Sequence, residues 1–356
     1  MFEPRDRTFP QMRHWIVSAL IIAAVMAAAG LMRLYQFGTE AHAGAQSPAL
    51  LVIAPGSSMR QVSAQLRAAD VITSARMFEM LARIKGSARS IKYGTYEFSA
   101  ALSPLDILDR LQRGLVRLSP FTVPEGRTLF ETARIIAATG LAGEDDLLEK
   151  MTDPDVISGL GLKADSLEGY LFPDTYLFGQ ETTAGMILHA MTERYRQVFA
   201  EEMQTAGNPA GLSEHEIITL ASLVEAETGR ADERPLIAGV FLNRLAKGMR
   251  LECDPTVVYG QLLLDPGFNE RLSRRHLRQP TPHNTYLNHG LPPGPICSPG
   301  RLAIRAVLQP EKTDFLFFVS RNDGSHEFSR TLQEHDRAVE TFQRARSDTG
   351  AQQRPK

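Results

Sequence analysis

Cysteine is nearly absent from this chain: Cys253 and Cys297 are the only two thiols in 356 residues. Neither has a second Cys or a His at ligand spacing, so no metal site is expected. In an oxidising compartment the two could pair and pin together the Pro-containing loops beside them; otherwise both are free buried thiols. Net charge is nearly absent too, at -2. No basic run is dense enough to track phosphates, which excludes nucleic acid as a partner. The length leaves room for two domains and a substantial core.

One long apolar run is present. Trp15 to Met32, WIVSALIIAAVMAAAGLM, carries no charge. As a helix it would reach about 27 Å, close to the roughly 30 Å of a hydrocarbon core. Arg5, Arg7 and Arg13 precede it and Arg33 follows it. The positive-inside rule therefore makes residues 1–14 a cytoplasmic tail and 15–37 an anchor in the cytoplasmic (inner) membrane, with the remainder extracytoplasmic. Ala41-His42-Ala43 has the form of a signal-peptidase site. It lies well beyond an apolar run already longer than a signal peptide needs, so the expectation is an uncleaved anchor.

Residues 38–49 are small and polar and read as a linker. Leu50–Ala54 reads as a strand, followed by helices near Ser58–Ala69 and Ser74–Ile84 and a strand at Lys92–Phe98. This order fits a βααβ module of the LysM type over 50–116. Val52–Leu66 has a counterpart at Val123–Ile136, with Gly56 answering Gly126, and Thr95-Tyr96-x-Phe98 is echoed by Thr175-Tyr176-x-Phe178. A second, divergent copy of the unit is expected over 117–210. The block Glu168–Tyr176, EGYLFPDTY, is either a saccharide platform or a strand and turn packed on a core. Thr182–Thr205 reads as a surface helix, 211–345 as a core with a closing hairpin and helix, and 346–356 as a disordered tail. The fold class is α+β.

The stretch from Ile217 to Gly260 reads as two helices and a loop. Ser213 with Glu216 forms a capping box, and Ile217, Leu220, Ala221 and Val224 fall at helical spacing. Glu225 and Glu227 sit in the last turn, ahead of Gly229 as a candidate C′ residue. The carbonyl end of a helix disfavours a carboxylate and favours its protonated form, which suits a general acid. Residues two apart point to different sides of a helix, so the two do not form a facing acid–nucleophile pair. Periodicity alone leaves open which one acts. Pro280–Gly300, PTPHNTYLNHGLPPGPICSPG, is too rich in Pro and Gly for helix or central strand. A rigid loop bearing amides, hydroxyls and an aromatic ring suits sugar recognition.

The blocks EGYLFPDTY, ASLVEAET, VFLNRLAKGMRLECDPTVVYG, HNTY, GLPPGPICSPG and SRNDGSHEFSRTLQEH, in this order across residues 50–342, resemble the YceG-like endolytic murein transglycosylases. The resemblance implies an α+β catalytic domain over 117–345 behind a LysM-like subdomain. It implies cleavage within peptidoglycan glycan strands between N-acetylmuramic acid and N-acetylglucosamine. The catalytic glutamate of the family falls on Glu227, acting as acid and then as base with no cofactor. Asp254, Tyr259, Asn284 and Tyr286 fall in matched motifs and are implied substrate-binding or supporting residues. His283 stands where family members often have Tyr. Expected partners are glycan strands, the membrane through the N-terminal helix, and the synthases that extend the strands. Two other readings remain: lysozyme-type hydrolysis with Asp254 as second carboxylate, and a non-catalytic glycan-binding scaffold.

Overall fold

The computed structural model describes residues 9–42, 48–88, 90–98, 101–208, 210–269 and 271–344. The first eight residues of the expected cytoplasmic tail, residues 43–47 of the expected linker and the expected disordered tail lie outside the described residues. The chain divides into two compact units, residues 1–119 with 179–181, and residues 120–178 with 182–356.

The first unit begins with helix α1 (Phe9–Thr39), which runs on past the apolar segment without the expected break at residue 38. Strand β1 (Ala49–Ile53), helices α2 (Met59–Ala68) and α3 (Ala75–Ile84), strand β2 (Gly94–Phe98) and helix α4 (Pro104–Arg113) follow. The strands pair antiparallel with Leu51 opposite Tyr96. Val62, Leu66, Phe78, Ile107 and Leu111 fill the core beneath them. Leu34 and Gly38 of α1 are buried in this unit, and an added Cβ at Gly38 would stand 3.5 Å from Leu81 and Leu105.

The second unit opens with strand β3 (Ser119–Thr122), helices α5 (Leu129–Ala137), α6 (Glu144–Thr152) and α7 (Pro154–Gly159), and strand β4 (Thr175–Phe178), which pairs with β3. The turn into its first helix matches the one in the first unit. Gly56 and Gly126 have φ of 78° and 76°, a region costly for any residue with a Cβ. Each leads to a capping box, Ser58 with Gln61 and Thr128 with Glu131. The second copy differs by the extra helix α7, started by Asp153 as N-cap and Pro154 in its first turn. Tyr170, Leu171, Phe172 and Tyr176 are all buried, so EGYLFPDTY packs on the core and is not a sugar platform.

Helix α8 (Ala184–Ala206) is more buried than a surface helix: Ile187, Leu188 and Met191 join one core cluster, Tyr195 and Val198 the next. Near its end Glu202 receives Arg301 and Arg305. Around it stand α9 (Glu214–Glu227), α10 (Arg234–Ala246), α11 (Asp254–Leu264) and α12 (Arg301–Leu308). Strands β5 (Phe317–Ser320) and β6 (His326–Ser329) form an antiparallel hairpin, and α13 (Leu332–Val339) runs into a π-turn at Glu340–Arg344. Helices joined by three two-stranded sheets make the described residues an α+β protein. The segment after Cys253, expected as loop, is helix α11: Pro255 sits in its first turn, where its missing N–H costs nothing.

Candidate active site

Helix α9 brings its acids to the site. Ser213 and Glu216 cap it reciprocally, Ser213 Oγ accepting from the Glu216 N–H and Glu216 accepting from the Ser213 N–H at 2.8 Å. Every residue from Ile217 to Val224 is buried, so this helix is the spine of the unit's larger core and its register is fixed all round. It ends abruptly: Glu227 is its last residue and Thr228 is extended, at φ -145° and ψ 136°. The expected left-handed stop at Gly229 is not used.

The two acids part company at this point. The Glu225 side chain is 6% exposed, lies 2.8 Å from buried Arg234, and accepts the Gly300 N–H at 3.0 Å. It is a structural tie between α9, α10 and the Pro-rich loop. Glu227 opens into a cleft of about 470 Å³ lined by Arg244, Glu252, Asp254, Tyr286, Phe318, Ser320, His326 and His335 among others. Its pKa is raised, chiefly because the surrounding protein strips water from the carboxyl, with the charge of Asp254 adding to the rise. The Cys253 thiol and His326 act against it. The direction is the one expected from the sequence, but its leading cause is burial and not the helix end.

Asp254 and Tyr286 line the same cleft, and Tyr286 donates its phenol to Asp254 Oδ1 at 2.7 Å. Burial, and then that bond, push the Tyr286 pKa up, so the hydroxyl stays a donor. Asp254 stands in the first turn of α11, ahead of Pro255. The loop carrying Tyr286 is fastened to α11 by a hydroxyl relay. The Cys253 N–H donates to Thr285 Oγ1 at 3.0 Å, and Thr256 donates to the Cys253 carbonyl at 2.6 Å. This leaves Thr285 to donate to Thr256 across 2.8 Å.

Asn284 and Tyr259 do not reach this cleft. Asn284 is fully buried; its Nδ2 donates to the Leu277 and Gln279 carbonyls, and its Oδ1 accepts the Tyr286 N–H at 3.0 Å. Tyr259 is buried with its ring edge-on to His283, and its phenol meets the buried carboxyl of Glu168. It lines a second, apolar cavity of about 350 Å³ with Val258, Leu262, Ile296 and Cys297, which shares only Asp254 with the cleft. Cys253 and Cys297 are free buried thiols, the second of the two alternatives. Among the described residues no group of His, Cys, Asp and Glu could hold a metal ion.

Two cleft residues escaped the sequence reading. His326 donates or accepts at Nδ1 against Glu233 at 2.6 Å, and its backbone N–H donates to the same carboxylate at 3.0 Å. Arg244 is 7% exposed and clamps the cleft walls, donating to the carbonyls of Leu316, Arg250 and Leu251 and lying over the ring of Phe317. The signal for His326 was the block SRNDGSHEFSRTLQEH, whose position beside α9 is a matter of tertiary packing.

Comparison with known proteins gives a concordant result. The model of the YceG-like family matches residues 51–341. An endolytic murein transglycosylase of Bacillus subtilis is 33% identical over 309 residues, which cover 82% of this chain and 83% of that one. A protein of the same name from Streptococcus pneumoniae D39 is 29% identical over 363 residues; the match takes in 92% of this chain and 65% of the pneumococcal one. The crystal structure of a YceG-like protein from Listeria monocytogenes matches 83% of this chain and 100% of its own, with a TM-score of 0.56 and 32% identity. With the family match running from the first strand to the final π-turn, this chain belongs to the YceG-like family.

Proposed function

We propose that this chain is a membrane-anchored endolytic murein transglycosylase that cuts peptidoglycan glycan strands between N-acetylmuramic acid and N-acetylglucosamine. The observation that carries the reading is Glu227, a single carboxyl with a raised pKa at the wall of an open cleft. The names of the relatives support the substrate class. The uncharged apolar run of α1, residues 15–32, is long enough to span a bilayer and none of that run is buried in protein, which supports the anchor.

The chemistry asks for one proton carrier. Glu227 donates its proton to the glycosidic oxygen as the C1–O bond breaks and the muramoyl ring gains oxocarbenium character. The resulting carboxylate then takes the proton of the C6 hydroxyl while that oxygen bonds to C1. The product carries a 1,6-anhydro end, and Glu227 is left protonated for the next cycle. Asp254 and Tyr286 place the sugar beside it, with Asn284 and Thr285 holding Tyr286 in register. Arg244 and the Glu233–His326 pair hold the opposite wall. The βααβ part of the first unit is the LysM-like subdomain and steadies the strand.

Mass spectrometry of fragments released from peptidoglycan by the full chain and by Glu227→Gln tests this. The wild type is expected to release anhydro-ended fragments, and the variant to lose at least about 100-fold in rate, the usual contribution of a general acid. Reducing ends would replace the reading with hydrolysis using Asp254 as second carboxylate. Undiminished cleavage by Glu227→Gln would remove Glu227 from the mechanism.

A further inference from the structure

The first unit has a face that the proposed reaction does not use. On helix α3, Arg76, Met80, Arg83 and Ile84 are exposed, as is Lys85 at its C-cap. Met80 is 54% and Ile84 63% exposed, large values for apolar side chains on a helix whose other side fills a core. Positions 76, 80 and 84 are spaced by one turn each, so they form a single stripe along the helix. Arg83 and Lys85 lie at its edge, and Glu79 is taken up by an ion pair with Arg83 at 2.5 Å. An apolar stripe rimmed by cations is the pattern of a helix lying at a lipid–water boundary.

The position of α3 along α1 says which surface that is. The uncharged run of α1 ends at Met32, and Arg33 follows. Leu34, two residues on, and Gly38, six residues on, are already buried in the unit, Gly38 against Leu81 of α3. At 1.5 Å per residue the packing begins roughly 3 Å beyond the apolar run and is complete by roughly 9 Å. The headgroup layer on each side of a bilayer is about 5–7 Å deep. Helix α1 therefore carries α3 into or directly onto that layer, with no flexible spacer between. Exposed Tyr35, at 67%, stands in the same layer, where aromatic rings collect. On α4 the exposed residues are Asp106, Asp109 and Arg113, with Asp109 paired to Arg113, and no large apolar side chain is exposed among them.

We propose that the α3 stripe of Arg76, Met80, Arg83, Ile84 and Lys85 docks on the outer surface of the membrane that α1 crosses and binds anionic lipid headgroups there. The inference rests on the anchor reading of α1. Docking would fix the first unit against the bilayer instead of letting it swing on a stalk. Met80 and Ile84 enter the acyl boundary, and Arg76 and Lys85 meet the headgroup phosphates, joined by Arg83, which also pairs with Glu79.

Brominated lipid quenching of tryptophan fluorescence tests the docking and the anchor separately. The full chain is reconstituted in vesicles of phosphatidylcholine and phosphatidylglycerol whose phosphatidylcholine carries bromine high on the acyl chain. Trp15, the only tryptophan, reports the anchor in the wild type. A Trp15→Phe, Ile84→Trp variant reports α3, and Ile84 is exposed enough for the change to leave the fold intact. Docking predicts at least about twofold quenching at both reporters, with the α3 signal weakened in vesicles lacking phosphatidylglycerol and by Arg76→Glu, Arg83→Glu and Lys85→Glu together. A quenched Trp15 with an unquenched α3 reporter would overturn the docking and leave the anchor. An unquenched Trp15 would overturn both. An α3 signal indifferent to lipid charge and to the three substitutions would overturn the anionic-lipid assignment.

Discussion

Glu168 offers a test of the core that needs no substrate. It is 2% exposed, accepts the Leu129 N–H at 3.0 Å, and faces the phenol of Tyr259. Burial dominates those favourable contacts and raises its pKa from 4.5 to about 8. Between those values the folded chain holds a proton that the unfolded chain has released. Stability from this group is therefore present at low pH and is lost as pH rises through the window, by about 1.4 kcal/mol per pH unit. By pH 8 the loss reaches about 5 kcal/mol. Glu168→Gln cannot ionise, and its amide oxygen can still accept from Leu129. Urea unfolding of the full chain in detergent, followed by far-ultraviolet circular dichroism from pH 5 to 8, should show the variant gaining on the wild type by about 1.4 kcal/mol per unit. Below the window the two differ by a constant. A difference independent of pH across the whole range would refute the argument, because it would mean that Glu168 is ionised in the fold.

Two further substitutions separate the roles of the two acids at the end of α9. Asp254→Asn removes a negative charge that helps raise the Glu227 pKa. A general acid loses activity as pH rises through its pKa, so the alkaline limb of the kcat/KM profile should move to lower pH; a limb that stays or moves up contradicts the coupling. Arg234→Met leaves Glu225 buried without its cation and should cost about 3–5 kcal/mol in thermal or urea unfolding. Adding Glu225→Gln should restore part of that loss, and a single variant as stable as the wild type would show the pair to be dispensable.

How much of this was legible in the sequence follows from the kind of information each feature needs. The α9 cap, the apolar run of α1 and the two turn glycines depend on neighbours a few residues apart, and each has the expected geometry. The choice between Glu225 and Glu227 was not legible from periodicity, since both flank the apolar stripe. It is made by partners 75 and 9 residues away in the chain, Gly300 and Arg234, which occupy Glu225. Reading Asp254–Gly260 as a loop failed for a different reason. Pro255 looks like a helix breaker when its position is unknown and is a helix starter once it falls in the first turn. The burial of EGYLFPDTY was open for the same cause: an aromatic segment looks alike whether its rings meet sugar or, as Tyr170 does, meet Tyr195.

The motif HNTY shows why a matched residue is not automatically a touching one. His283, Asn284, Thr285 and Tyr286 are consecutive, yet only Tyr286 lines the cleft that holds Glu227. Asn284 spends its amide on the Leu277 and Gln279 carbonyls and its oxygen on the Tyr286 N–H. Thr285 spends its hydroxyl on the link between Cys253 and Thr256. Both therefore bear on the cleft only through the placement of Tyr286, whose phenol in turn is fixed by Asp254. A cleft assembled this way tolerates little drift, because the loop, α11 and the end of α9 are joined by directional bonds and not by apolar contact alone. The Pro-rich composition fits that demand: a segment that must present one phenol to one carboxylate benefits from having few other conformations to leave.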